Sequence, residues 1–354
     1  MIPYFILIAL PALFSIVGFK KRLPRSATVA TFFGIFLLLL CFRHETVGTD
    51  ILGYKELAKS VTNMDFAKII SKNSEPVYFL ICKIVSLFTE NYQIVLVVCA
   101  VISIIPLWIF YHKEADSAYL AIVLFATVAP FSMFFSGLRQ AMAIALAIPL
   151  WYLAKNKKFV WFLIVLFIAY LCHQSAVFMI LIYPFYHIRI TLLRTILALP
   201  CIAVAFLFNN QIFSILLRLV GGEYAEKYGE ESQGTGAYTI LILLVIFAIY
   251  CFVIPDEKKM DQDTRAMRNI LLLAVCIQMF APVHTLAMRV NYYFLIFIPV
   301  LISRIPKLST KAFSQLATLS VAVMSVFFAG YFVYNAYYSA DILEIYPYIY
   351  FLEG

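Results

Sequence analysis

Recurring apolar runs constrain this chain more than any other feature. They lie near 2–19, 27–42, 76–89, 92–111, 118–135, 137–153, 159–171, 174–187, 195–208, 237–254, 269–281, 290–303 and 313–336, with short polar clusters between them. Hydrophobic residues make up 64% of the sequence and charged residues 13%, with a mean hydropathy of +0.93. A soluble domain has about 25% charged and about 45–50% apolar residues. Backbone amides in lipid must be satisfied within their own segment, so the runs read as helices. The expectation is an all-α, polytopic membrane bundle of about 12–13 hydrophobic segments. Crossing ~30 Å of hydrocarbon takes about 20 helical residues, sometimes about 17, so the shorter runs must tilt, re-enter or borrow flanking residues. Neither an internal repeat nor a low-complexity linker divides the chain, which reads as one domain over 1–354.

The first run has its basic cluster after it, the reverse of a cleavable signal peptide, and reads as the first membrane helix. The seven cysteines sit mostly inside apolar runs without CxxC spacing. They indicate packing residues, with no disulfide framework and no zinc site. The 33 Phe and 23 Tyr suit lipid-facing helices and interfacial belts.

Lys and Arg choose the sides. The stretches 20–25, 112–116, 155–158, 188–194, 256–268 and 304–311 carry 17 of the 27 basic residues and 6 acidic ones, and are expected on the cytoplasmic side. The net charge of +8 therefore follows the membrane and does not argue for nucleic acid. This assignment sends both termini, Arg43–Asp50, Ser136–Gln140, the region around His173 and Val283–Arg289 to the outer face. One parity problem arises: 43–74 and 112–116 need an odd number of spans between them, yet two runs intervene. The run 76–89 follows Glu75, opens at Pro76 and contains Lys83, so it is expected to re-enter or span only half the bilayer. In the outer loop 43–74, Tyr54-Leu57-Ala58-Val61 and Phe66-Ile69-Ile70 suit short interfacial helices. The stretch 209–236 begins similarly and becomes an acidic outer loop, a lid or an inert connection.

Polar clusters at the outer ends of the runs carry the chemistry. Arg43 closes the second run, and Gly48 marks a turn that would fold Asp50 back beside it. The plain reading is a helix-end arginine paired to a loop aspartate. Tyr54 and Glu75 are candidates to orient or replace that carboxylate. Arg139 and Gln140 fall in the first turn of the 137–153 helix. An arginine there opposes the helix dipole yet favours a bound anion, so phosphate recognition is the stronger reading. His173 interrupts a long apolar stretch at the same face, either as a hydrogen-bonded structural residue or as part of a site. His284, Arg289 and Tyr292 close the set, with Arg289 readable equally as an interfacial snorkeller. There is no HExxH, Walker loop, GxSxG or DxD pair, so no metal site is expected, and the arginines would take the place of an ion.

RHETVGTD with Tyr54 after it, EPVYFLICKIVSLFTENYQ, FFSGLRQAMAIAL and LCHQSAVFMILIYPF, in that order over roughly 40–190, resemble the EpsG family of bacterial polysaccharide polymerases. SGLRQ and the downstream H-x-S-A are the most specific part. After 195 the likeness rests on hydropathy and a late Arg-x-Asn-Tyr-Tyr. The resemblance implies a GT-C-like glycosyltransferase in the bacterial cytoplasmic membrane, related in role to Wzy-type O-antigen and capsule polymerases. It would join undecaprenyl-diphosphate-linked glycans at the outer face without a cofactor. Arg43, Arg139 and Arg289 would bind the diphosphate. Asp50, or Glu75 as second choice, would take the acceptor hydroxyl's proton, and His173 would complete the acid–base site or the clamp. Tyr54, Gln140, His284 and Tyr292 would contact substrate. Implied partners are the lipid-linked donor and acceptor, membrane lipid, and the chain-length regulator and flippase of the same pathway. Two alternatives stay open: an O-antigen ligase-like or other GT-C transferase, and a flippase of the lipid-linked unit. A flippase should carry mid-membrane ionisable groups and internal pseudo-symmetry, neither of which the sequence displays.

Overall fold

The computed structural model describes residues 2–21, 25–220, 236–338 and 344–352. Those residues are helical apart from turns and two isolated bridges, Arg43 with Tyr350 and Pro255 with Ser309. Residues 22–24 of the first basic cluster, and the acidic part of 209–236 beyond 220, lie outside the described residues.

The chain begins with α1 (Ile2–Lys21) and α2 (Arg25–Cys41), which pack side by side. Two short amphipathic helices, α3 (Ile51–Ser60) and α4 (Phe66–Lys72), follow where interfacial helices are expected. They pack against α5 (Pro76–Ser86). At 11 residues and ~1.5 Å per residue, α5 is about half as long as the hydrocarbon core is thick. Lys83 near its end donates to Thr62 O at 2.7 Å, which ties α5 back to the loop after α3.

The long helix α6 (Tyr92–Glu114) then resolves the parity problem. Asn91 caps it by accepting from Gln93 N at 3.0 Å. The Gln93 side chain donates to Cys41 O at 2.5 Å and to Arg43 O at 3.2 Å. The start of α6 is therefore pinned to the end of α2. Everything between the two helices leaves from and returns to one end of the bundle, so α5 does not cross.

Several expected single runs are broken, and proline explains three of the breaks. The 137–153 run divides into α9 (Leu138–Ala145) and α10 (Ala147–Lys155). Pro149 has no N–H for the Ala145 carbonyl, one turn back, where the first piece ends. Before these, 118–135 divides into α7 (Ala118–Thr127) and α8 (Met133–Ser136), with Pro130 in the break. Next come α11 (Phe159–Cys172), a 3₁₀ turn (Gln174–Leu181), α12 (Ile182–His187), α13 (Leu192–Leu207) and α14 (Asn209–Val220), the last two bent by 78°. Beyond 235 lie α15 (Gly236–Val253), α16 (Gln262–Gln278), α17 (Thr285–Leu295), α18 (Ile298–Arg304) and α19 (Ser314–Tyr338). Between α17 and α18 the axis bends by 44°, where Pro299 cannot donate to Leu295.

Among the described residues, two helices are long and apolar enough to cross a membrane, α6 and the stretch Lys311–Tyr338 that contains α19. The number rises to four if each bent pair counts as one span. The remaining runs form shorter apolar helices, including Ser26–Cys41, Phe159–Cys172 and Ala237–Val253. The chain is thus a helical membrane protein built largely from interrupted segments. Lipid offers no apolar-burial gain between helices, so close packing and hydrogen bonds must hold them. The packing centres on Phe32, Phe33, Phe36, Tyr111 and Phe125, all fully buried with edge-to-face ring contacts.

Two polar layers mark the ends of this bundle. At the far end of α6, Arg304 is paired with Glu114, whose backbone carbonyl also accepts from Arg304 Nε at 2.8 Å. Lys155–Asp263 at 2.5 Å, Lys307–Asp116 at 3.1 Å and Arg268–Glu257 join it. These residues come from four of the stretches that the charge pattern puts on one side. At the opposite end, residues 344–352 fold back over 42–48: His44 N donates to Ile349 O at 2.8 Å and Gly48 N to Glu344 O at 3.0 Å.

Candidate functional site

The C-terminal tail end of the bundle holds a cavity of about 630 Å³. Seven of the ten residues singled out in the sequence line it: Asp50, Tyr54, Glu75, Arg139, Gln140, His173 and Arg289. They arrive from five separate parts of the chain.

Glu75 is the hub. It stands at the N-cap of α5 with Pro76 after it, and its side chain makes no capping hydrogen bond, which leaves both oxygens free. Oε1 accepts from His173 Nδ1 at 2.7 Å and from the Gln174 backbone N–H at 2.8 Å. Oε2 pairs with Arg139 at 2.7 Å. Burial pushes this carboxyl up, but the His173 hydrogen bond and charge, the Gln174 amide and Arg139 outweigh it. The net result lies below the ordinary carboxylate value. Glu75 is therefore ionised at neutral pH and can only accept hydrogen bonds. It follows that His173 Nδ1 carries a proton, and in the neutral ring Nε2 is the nitrogen with the free lone pair.

Arg139 lies in the first turn of α9, as its position after Gly137 predicts. Beyond Glu75, it stands over the Tyr54 ring, 5.4 Å from the centroid, and its Nε donates to Tyr54 Oη at 3.4 Å. Next to it, Gln140 donates to the Arg289 carbonyl at 2.8 Å, which ties α9 to α17. The Arg289 guanidinium is half-buried on the cavity wall and has no carboxylate partner among the described residues. The charge on Arg139 is balanced by Glu75. Among the described residues, no carboxylate balances the charge on Arg289 in the same way.

Three expected residues are placed elsewhere. Arg43 is buried at 1% exposure and is not part of the lining. It forms no ion pair with Asp50; its guanidinium donates to Phe135 O at 2.5 Å and lies 3.5 Å from Phe134 O. The turn at Gly48 is present, at φ +107°, but it brings Gly48 against the same Phe135 carbonyl. Arg43 thus braces the backbone just before α9, where Arg139 begins. His284 is also buried: it caps α17 by accepting from Leu286 N at 3.0 Å and stacks on Phe213, and its neighbours Thr285 and Leu286 reach the cavity instead. Tyr292 packs in the core, half-buried and off the lining, whereas the adjacent Tyr293 shares a 2.8 Å hydrogen bond with Ser175.

Sequence reasoning overlooked Gln174, Ser175, Ser74 and Thr285 as lining residues. The first two were legible as polar neighbours of His173 at a helix break; the others carry no distinguishing local signal. Among the described residues, no group of three His, Cys, Asp or Glu side chains comes together to hold a metal ion. What the cavity offers is guanidinium groups suited to phosphate oxygens and a histidine oriented by a carboxylate. The model of the EpsG family matches residues 26–350, nearly the whole chain. No curated protein and no solved structure gives a significant match.

Proposed function

The chain belongs to the EpsG family, and from that premise we propose that it is a polysaccharide polymerase of the bacterial cytoplasmic membrane. It transfers a glycan from a lipid-diphosphate carrier to a sugar hydroxyl of a second lipid-linked unit. The observation that carries this reading is the convergence of Arg139, Arg289, Glu75 and His173 on one cavity at one end of the bundle.

In the proposed reaction the acceptor hydroxyl attacks the anomeric carbon, a C–O bond forms, and the bond to the diphosphate breaks. Arg289 and Arg139 bind the diphosphate and stabilise the charge that grows on it as it leaves. The hydroxyl proton passes to His173 Nε2, with Glu75 fixing the orientation of the ring through Nδ1. Glu75 is a poor base in this scheme because three donors already hold its carboxylate ionised. Asp50, the first-choice base in the sequence reading, is exposed on the cavity rim, and in this scheme it binds a substrate hydroxyl instead. The basic residues gathered at the other end support an outward orientation for this one.

The test is the surface glycan of cells lacking the protein, complemented with wild type or with His173→Ala. Single-repeat products in the deletion, long chains with wild type and single repeats again with His173→Ala are expected. Lipid-linked polymer accumulating in the deletion would instead identify a ligase, and lipid-linked single units trapped on the cytoplasmic side a flippase.

A further inference from the structure

A second concavity of about 560 Å³ adjoins the polar cavity and shares Gln174, Ser175 and Leu286 with it. Its other walls are mostly apolar, with Phe178, Phe213, Ile277 and Phe280 facing Ala287 and Val290. Helix α17 is the common wall. Thr285, Leu286 and Arg289 line the polar side, and Leu286, Ala287 and Val290 line the apolar side, so the two sets divide one helix surface lengthwise. Val177 and Phe178, on the 3₁₀ turn, stay 46% and 42% exposed, which leaves the lip of the crevice open to the bilayer.

We infer that this crevice seats the hydrocarbon chain of the donor lipid, with its diphosphate at Arg289. The inference rests on the proposed function and assigns the two substrates to different walls of the cavity. A carrier that joins a long apolar chain to a dianionic head needs an apolar channel opening beside an unbalanced cation. Among the described residues Arg289 is such a cation, one turn along α17 from Leu286, where crevice and cavity meet. Arg139 does not fit as well, because Glu75 already offsets its charge. The donor lies on the α17 side, its leaving diphosphate next to Arg289. The acceptor hydroxyl then approaches from the Glu75–His173 side. The volume suits the first part of the chain, within the ~300–1,000 Å³ of ordinary ligand sites, and the remainder lies in the bilayer.

The test uses the full-length protein in nanodiscs and a photoreactive polyprenyl diphosphate without sugar, its crosslinker close to the diphosphate. The expected result is labelling of the 174–181 and 285–290 segments. Unlabelled polyprenyl diphosphate should suppress it, and an equal amount of anionic phospholipid should not. Val290→Trp, which fills the crevice, should lose most of the label, and the smaller change Ala287→Leu should weaken it. Label confined to other segments, equal suppression by phospholipid, or full labelling of both variants would overturn the inference. Because the probe carries no sugar, labelling is independent of transfer. A protein that labels here yet builds no polymer would refute the polymerase reading and leave the crevice assignment standing.

Discussion

Arg139 shows how one side chain serves both the fold and the chemistry of the site. Its guanidinium faces Glu75 with one edge and the Tyr54 ring and hydroxyl with another, so its plane is fixed before any substrate arrives. A lysine keeps the charge, but it is a point donor that cannot reproduce the planar contacts with a carboxylate and a phosphate at once. Arg139→Lys is therefore expected to lose polymerisation almost as fully as Arg139→Ala, by ~10²–10³ in rate, as when a transition-state charge contact is removed. Chain length in complemented cells, normalised to membrane levels of each variant, is the measurement. Near-normal chains from Arg139→Lys would reduce the residue to a bulk charge.

At the scale of elements, the two polar motifs flagged in the sequence turn out to interlock through backbone rather than through paired side chains. The Phe135 carbonyl meets both Arg43 and Gly48, and the tail at 344–352 lies across the same loop. A Cβ at Gly48 would come within 2.4 Å of that oxygen, and the positive φ already disfavours any side chain. Gly48→Ala should destabilise the protein by about 1–3 kcal/mol, read as a lower melting temperature in detergent. Gly34→Ala, inside α2 with nothing within 4 Å of the added carbon, is the neutral or mildly stabilising control. Equal melting of both variants would contradict the interlock. The same elements show what was legible beforehand. Arg139 at a helix start was readable because an arginine there opposes the dipole. Arg43 was not, because a guanidinium that grips buried carbonyls has the same sequence signature as one that waits for phosphate. The tail was invisible for a related reason: Tyr348 and Tyr350 find partners about 300 residues away in the chain, at Leu39 and Arg43.

Across the whole molecule, α6 measures the distance between two polar layers of different character. One layer, around Glu114, Arg304, Lys155 and Asp263, pairs Arg304, Lys155, Lys307 and Arg268 with acids, while Lys259 and Arg265 bind backbone carbonyls. In the other layer Arg289, on the cavity wall, has no carboxylate partner among the described residues. Four of the stretches grouped by basic-residue counting, 112–116, 155–158, 256–268 and 304–311, do gather at one end, around Arg304. The parity problem of that counting pointed to a re-entrant or half-spanning 76–89, but hydropathy could not say where the run is anchored. Gln93 provides that anchor, holding the start of α6 against the end of α2. The resulting account has one central claim: a single cavity joins lipid-linked units using its own arginines and histidine. The most direct test is the purified protein in lipid with a synthetic lipid-diphosphate repeat unit, in the presence of EDTA, with products separated by length. The account predicts a ladder of growing chains, one lipid diphosphate released per linkage. A ladder that disappears with EDTA and returns with Mg²⁺ or Mn²⁺, or no ladder from an intact protein, would contradict it.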